Sequence, residues 1–220
     1  MFNKIAPRWI TLLAALLLCA PISPARAQSI PFDQAWKEQG FLRLFSNDYQ
    51  TNGDQLGVVS NGTVSLFWRP VEGAARAATK AAWSWRVDEG VPATDLNIKG
   101  GDDRNLALYF VFLDPQTAKS ITRNSARALL RNDNVRAIVY VWGGAHGRGD
   151  VLPSPYHPRL VTKVLRPAGT GQHRESVDLV QDFKDAFGEE KGLLVGLGVS
   201  ADSDDTDTRV RAVVAGLTLN

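Results

Sequence analysis

Along most of this chain apolar residues either alternate with polar ones or gather in short blocks, the pattern of strands rather than helices. Trp83-Ser84-Trp85-Arg86-Val87 alternates cleanly, and residues 106–112 form a nearly continuous apolar run bounded by Gly100-Gly101-Asp102-Asp103. Aromatic and β-branched residues in such runs fit a pleated, half-buried surface. Further strand-like runs lie at residues 58–60, 64–68, 136–142, 160–165, 193–200 and 209–219. Asn61-Gly62 between the first two predicts a type I′ hairpin. Helical spacing occurs twice, at residues 117–132 and along Val177, Val180, Phe183 and Phe187 up to Gly188. About eight strands and one or two short helices, with no βαβ order, predict an all-β fold: an antiparallel β-sandwich, jelly-roll-like.

The first residues break this pattern. Lys4 and Arg8 precede a short apolar run, and Ala25-Arg26-Ala27 supplies small residues before Gln28. This is the layout of an export signal, and the run is too short for a membrane span. The expected organisation is therefore a cleaved signal peptide, residues 1–27, and a single β-sandwich domain, residues 28–220. The expected location is the bacterial periplasm or beyond. Cleavage removes Cys19, the only cysteine, which excludes a disulfide framework and a thiol nucleophile. It also takes Lys4, Arg8 and Arg26 from the 25 basic residues, leaving 22 against 23 acidic ones. Nucleic-acid binders concentrate basic charge, so that class of partner is not expected.

Alternation sorts the strands into two faces. Trp83, Trp85 and Val87 share one face, as do Leu106, Leu108, Phe110 and Phe112. Grouping these as the core leaves Arg86, Tyr109, Tyr140 and Trp142 on the other face, where Gly196, Gly198 and Ser200 would leave room. Aromatic rings beside an arginine suit a glycan, with Asp103 near the rim. The competing arrangement has a loop or the Val177 to Phe187 segment covering that face as a second core layer.

Two groups of acids offer other chemistry. Asp202, Asp204, Asp205 and Asp207 crowd carboxylates into one loop, as a structural Ca²⁺ site would, although the spacing lacks the glycine and glutamate of a helix-loop-helix site. An ordinary solvated turn neutralised by Arg209 and Arg211 is the preferred reading of this loop. Asp102 and Asp103 are the remaining candidates for a glycosidase pair, although adjacent residues point in different directions. His146, His157 and His173 fall in expected loops without the spacing of a zinc site or a serine–histidine–aspartate triad. No catalytic residue is assigned.

Several of these motifs occur together and in order: Trp83 to Val87, Lys99 to Asp103, Tyr109 to Phe112, Tyr140-Val141-Trp142, Ser154-Pro155-Tyr156, Asp182-Phe183 to Phe187-Gly188, and Ala201 to Thr206. In this the chain resembles the bacterial domain of unknown function 3047 family. It departs where the family pattern has an arginine at Ala107, an asparagine at Asp205 and a Gly-Asp pair at Gly216-Leu217. The resemblance implies an exported single-domain β-sandwich similar to carbohydrate-binding modules, with no reaction attached. The expected function is a non-catalytic module binding a glycan or another envelope ligand. The rivals are a polysaccharide hydrolase or lyase of the envelope, and a purely structural protein. The two leading readings part on one observation: an enzyme needs an acid–base pair lining the same groove as the aromatics.

Overall fold

A computed structural model describes residues 27–40, 46–120, 129 and 131–220. The expected leader lies outside the described residues, as does most of the helix expected at 117–132; its start is seen as α1 (Pro115–Ser120). The sandwich is all-β, as the alternation predicts, with two facing sheets. One contains β1 (Gln28–Ser29), β3 (Asp48–Asn52), β4 (Gln55–Asn61), β6 (Lys80–Glu89), β11 (Gly171–Asp178) and β13 (Arg209–Leu219). Its order is β11-β6-β13-β4-β3, with β1 also on β13. The other contains β2 (Lys37–Gly40), β5 (Val64–Pro70), β7 (Arg104–Leu113), β8 (Arg136–Trp142), β9 (Val151–Pro153), β10 (Leu160–Arg166) and β12 (Leu193–Asp202). Its order is β2-β5-β12-β7-β8-β10-β9.

Three local expectations are corrected. Asn61-Gly62 does not close a hairpin, because β4 and β5 belong to different sheets. Gly62 does adopt φ +61°, but there it turns the chain across the sandwich edge, donating its N–H to the Thr208 carbonyl at 3.0 Å. Ser60 and Ser203 lock the same corner, hydroxyl to hydroxyl, at 2.6 Å. The second departure is that β8 and β10 run parallel in an otherwise antiparallel pairing. The third concerns residues 171–178, which form an edge strand on β6 where a loop and the start of a helix were expected. Val177 thus belongs to β11, and α2 spans Leu179–Phe187. Asp178 caps α2 by accepting from the N–H groups of Val180 and Gln181, and Gly188 ends it at φ +68°.

Between the sheets Trp83, Trp85 and Val87 meet Leu106, Leu108, Phe110 and Phe112, as the alternation implies. Tyr140 and Trp142 join them from β8, which reverses the expected face of that strand. Trp83 lies 5.7 Å from Tyr140 and Trp85 lies 5.6 Å from Trp142, centroid to centroid. Both faces of β8 are apolar and both are buried: the rings fill the space between the sheets, while Ala137, Val139 and Val141, at 0%, 4% and 0% exposure, pack in two outer clusters with Val111 and Val164. The Tyr140 hydroxyl is satisfied by donating to Asp182 of α2 at 2.7 Å, and Lys163 pairs with the same carboxylate at 2.6 Å. Burial, then the facing Asp182 carboxylate, pushes the Tyr140 hydroxyl far above its ordinary value. Trp85 likewise donates its indole N–H to the buried Glu175 at 3.1 Å.

Candidate functional site: a groove over the seven-stranded sheet

With the rings turned inward, the outer face of the seven-stranded sheet carries two further buried clusters, one around Leu66, Trp68, Val111 and Ala137 and one around Ala107, Val139 and Val141, with Tyr109 packed against both. Gly196, Gly198 and Ser200 of β12 alternate with core residues Leu197 and Val199, so they occupy that outer face as the sequence suggested. The Trp68 ring covers Gly196: a Cβ added there would fall 1.9 Å from Trp68 Cζ3. Gly198, where a Cβ would meet Leu66 Cδ1 at 2.8 Å, lines a groove of about 780 Å³, within the usual range for small-molecule sites. Its floor is Leu66, Trp68, Val111, Ala137 and Val139, with Leu160 and Thr162 towards β10. Loop residues 154–157 and Leu96 form its rims, and Asp102, Arg104, Asp202, Asp204 and Asp205 gather at one end.

Arg104 organises that end. As the first residue of β7 it is register partner to Asp202 of β12, so the strand pairing itself brings the two together. Arg104 Nη1 lies 2.8 Å from Asp102 Oδ2 and 3.3 Å from Asp202 Oδ2, while Nη2 donates to the Tyr109 hydroxyl at 3.0 Å. Burial works against its charge, but Tyr109, Asp202 and Asp102 hold the guanidinium ionised. The Tyr156 hydroxyl donates to the other oxygen of Asp102 at 2.6 Å, so both oxygens of that carboxylate are engaged. Burial, then the bond to Asp102, raises Tyr156 to about 12. Asp202 behaves differently. Burial raises it to about 9 against the opposing pull of Arg104, and a hydrogen bond with Asp204 and the charges of Asp204 and Asp103 add to the rise. Arg104 sits closer to Asp102 than to Asp202, and the Asp202 carboxyl keeps its proton at neutral pH, hydrogen-bonded to Asp204.

The expected ligand set is therefore split. Tyr109 does line the groove, but Tyr140 and Trp142 are 0% and 1% exposed in the core and cannot touch a ligand there. Arg86 lies on the outer face of the opposite sheet, half exposed and paired with Asp88 at 3.2 Å. Asp103 is fully buried beneath the acidic loop, accepting from the Thr206 N–H at 2.7 Å, the Thr206 hydroxyl, and the Asp205 N–H at 3.3 Å. Adjacent Asp102 and Asp103 do point in different directions, one to the groove and one to the loop. His173 lies on β11 with its ring 4.9 Å from Trp142, whereas His146 and His157 are in loops.

The expected calcium set is split as well. Asp202 and Asp204 come together with Asp103, all three offering oxygens within 4.8 Å of one another, whereas Asp205 lines the groove and Asp207 sits at the turn with φ +51°. A divalent cation needs several free oxygen ligands. Here Asp103 already accepts three hydrogen bonds and Asp202 is occupied by Arg104 and by the proton it shares with Asp204. A cation at these oxygens would compete with the bonds Asp103 and Asp202 already make.

Sequence reasoning missed Arg104, Tyr156, Trp68 and Val139. A lone arginine opening an otherwise apolar strand was the available signal for the first, since a central-strand charge needs a partner.

The chain matches the family described as "Protein of unknown function (DUF3047)" over residues 34–218. No curated protein matches it significantly. Among solved structures it is similar to the xyloglucanase domain of NopAA, a type three effector from Sinorhizobium fredii in complex with cellobiose. That similarity has 8% identity, 90% of this chain and 99% of that one covered, and a TM-score of 0.45. It is also similar to a thermostable cellulase derived from Cel12A of Rhodothermus marinus, with 8% identity, 88% and 99% covered, and a TM-score of 0.44. Winged bean acidic lectin complexed with methyl-α-D-galactose gives 9% identity, 88% and 98% covered, and a TM-score of 0.43.

Proposed function

The chain belongs to that family, and we propose that it acts as a non-catalytic binding module of the bacterial cell envelope. In this reading its leader exports it to the periplasm or beyond, and its ligand, a glycan or another envelope component, lies in the groove over the seven-stranded sheet. The observation that carries the reading is the groove itself: a preformed concavity of about 780 Å³ with an apolar floor and a hydrogen-bonding end. Such a concavity with a few convergent polar groups is the usual form of a ligand site.

A hydrolase or lyase is the second reading, because acids do line the same groove as Trp68, Tyr109 and Tyr156. Asp102 and Asp202 touch one arginine nitrogen, near enough for the roughly 5 Å separation of a retaining pair. Asp202, raised to about 9, even has the protonation of a general acid. Binding is favoured over turnover because both carboxyl groups are spent on Arg104, Tyr156 and Asp204 and their side chains are only 7% and 10% exposed. A nucleophile or acid must reach the reacting atom within hydrogen-bond distance.

A glycan-array screen with product analysis tests both. Binding without cleavage, abolished by filling the groove with Thr162→Trp, is the expected result. Cleavage of a bound glycan, lost in Asp202→Asn, would establish the enzyme instead.

A further inference from the structure

The groove has spent its carboxylates inside the protein and kept its donors for a ligand. Asp102 is filled by Arg104 and the Tyr156 hydroxyl, and Asp202 by Arg104 and Asp204. Asp204 and Asp205 have partners of their own. Arg104 is committed in turn, Nη1 to Asp102 and Asp202 and Nη2 to the Tyr109 hydroxyl. Tyr109 accepts that bond, and among the described residues its own hydrogen has no acceptor.

Midway along, Tyr109 of β7 and Thr162 of β10 are both register partners of Val139, so the two lie in one row across the sheet. Both are half-buried and line the groove, from strands about 10 Å apart at the usual spacing. Arg131 lies at the other end. It follows Leu129, which packs with Val111 and Ala137. Val111 is seven residues along β7 from Arg104, roughly 23 Å for an extended strand. Arg131 is exposed and lines the groove. It makes no ion pair among the described residues, which include all 23 acidic ones. Asp133, two residues on, is taken by Arg159 at 2.6 Å.

A guanidinium without a partner presents its fork to carboxylate or phosphate oxygens. The acids at the Arg104 end stand beyond the screening length of about 10 Å, so they do not repel an anion held at Arg131. We infer that the groove takes an anionic saccharide, a uronate or a sugar phosphate, with its charged group at Arg131 and its hydroxyls on Thr162 and Tyr109. This rests on the groove being a binding site, and it names the ligand class.

The test is a glycan array carrying neutral, uronate-bearing and phosphate-bearing saccharides, followed by calorimetric titration of the purified protein with the strongest binder. The bound glycans should be acidic, and the array itself separates uronates from phosphates. Removing the charge, by methyl esterification or by phosphatase, should weaken binding about tenfold, as loss of a charge-assisted bond does. Arg131→Gln should lose the same factor, and both changes together no more than either alone. Arg131 is exposed, so this variant should melt as wild type does. Neutral glycans bound as tightly as acidic ones, with Thr162→Trp abolishing the binding, would overturn the anionic ligand and leave the groove a binding site. Acidic binding unmoved by Arg131→Gln would overturn the assigned contact. Silence of every glycan, neutral and acidic, would overturn this inference and the binding function together.

Discussion

Arg104 and Asp202 are register partners across the β7–β12 pair, and their side chains meet 3.3 Å apart at the head of the groove. They are nevertheless not a simple ion pair. Asp102 lies closer to the same nitrogen, at 2.8 Å, while Asp202 turns its proton to Asp204. One guanidinium therefore orders three carboxyl groups of which at least one stays neutral.

This makes stability depend on pH in a defined direction. With Asp202 raised to about 9, the folded state keeps a proton that the unfolded chain releases near the ordinary carboxylate value. The contribution is complete below about pH 4 and is lost as pH climbs towards 9, at up to about 1.4 kcal/mol per pH unit. Asp202→Asn has the same size and does not titrate. Urea melts from pH 5 to 9 should show wild type losing ground steadily to Asp202→Asn; parallel curves would place Asp202 as an ordinary ionised carboxylate.

Removing the arginine should cost more than removing an acid. Arg104→Met leaves Asp102 buried without its counter-charge, and breaking one side of a buried pair costs about 3–5 kcal/mol. Adding Asp102→Asn should recover part of that loss, because the two effects share one interaction. Additive losses in the double variant would show that the pair is not coupled.

The alternation of Trp83, Trp85 and Val87 was enough to read the two-sheet core, because only one face of β6 is apolar. In β8 the same reasoning ran out: Ile138, Tyr140 and Trp142 oppose Ala137, Val139 and Val141, and a period of two cannot say which set turns inward. Partners far away in sequence decided it, such as Asp182, which accepts from the Tyr140 hydroxyl. Arg86 and Tyr109 were grouped by parity, but parity within a strand does not say which sheet the strand joins. Of the groove lining, the sequence picked out Gly198 and Tyr109 by parity and Asp202, Asp204 and Asp205 as a cluster. Its charged end depends on Asp202 reaching Arg104 across nearly a hundred residues. The acidic loop was visible as a cluster, yet Asp103, not Asp205 or Asp207, completes it.

Trp85→Ala should be severely destabilising. The ring is 1% exposed, packs on Trp83 and Trp142, and its N–H satisfies the buried Glu175. A loss of about 3–5 kcal/mol is expected in denaturant melts. Tyr140→Phe keeps the ring and deletes only the bond to Asp182, so a smaller loss of about 1–3 kcal/mol should follow. If Tyr140→Phe proves as costly as Trp85→Ala, the α2 contact outweighs the ring packing.

Export has its own readout. The leader pattern expects cleavage after Ala27, so the protein recovered from the periplasm should begin at Gln28. Intact-mass measurement decides it, and a species that retains residues 1–27 would refute the signal.

Calcium distinguishes an acidic cluster that binds metal from one that shares a proton. At pH 7 the Asp103 oxygens are filled by Thr206 and Asp205, and Asp202 keeps its proton between itself and Asp204. A cation would have to displace that proton, and ligands must deprotonate before they bind. Millimolar calcium or a chelator should therefore leave the melting temperature unchanged at pH 7. Near pH 10 the Asp202 proton is gone, and its freed oxygen faces Asp204 while Arg104 lies closer to Asp102. Calcium binding only the folded state would then raise the melting temperature by mass action. The same rise already at pH 7 would mean that Asp202 is ionised in the fold, and would sink the shared-proton account of this loop.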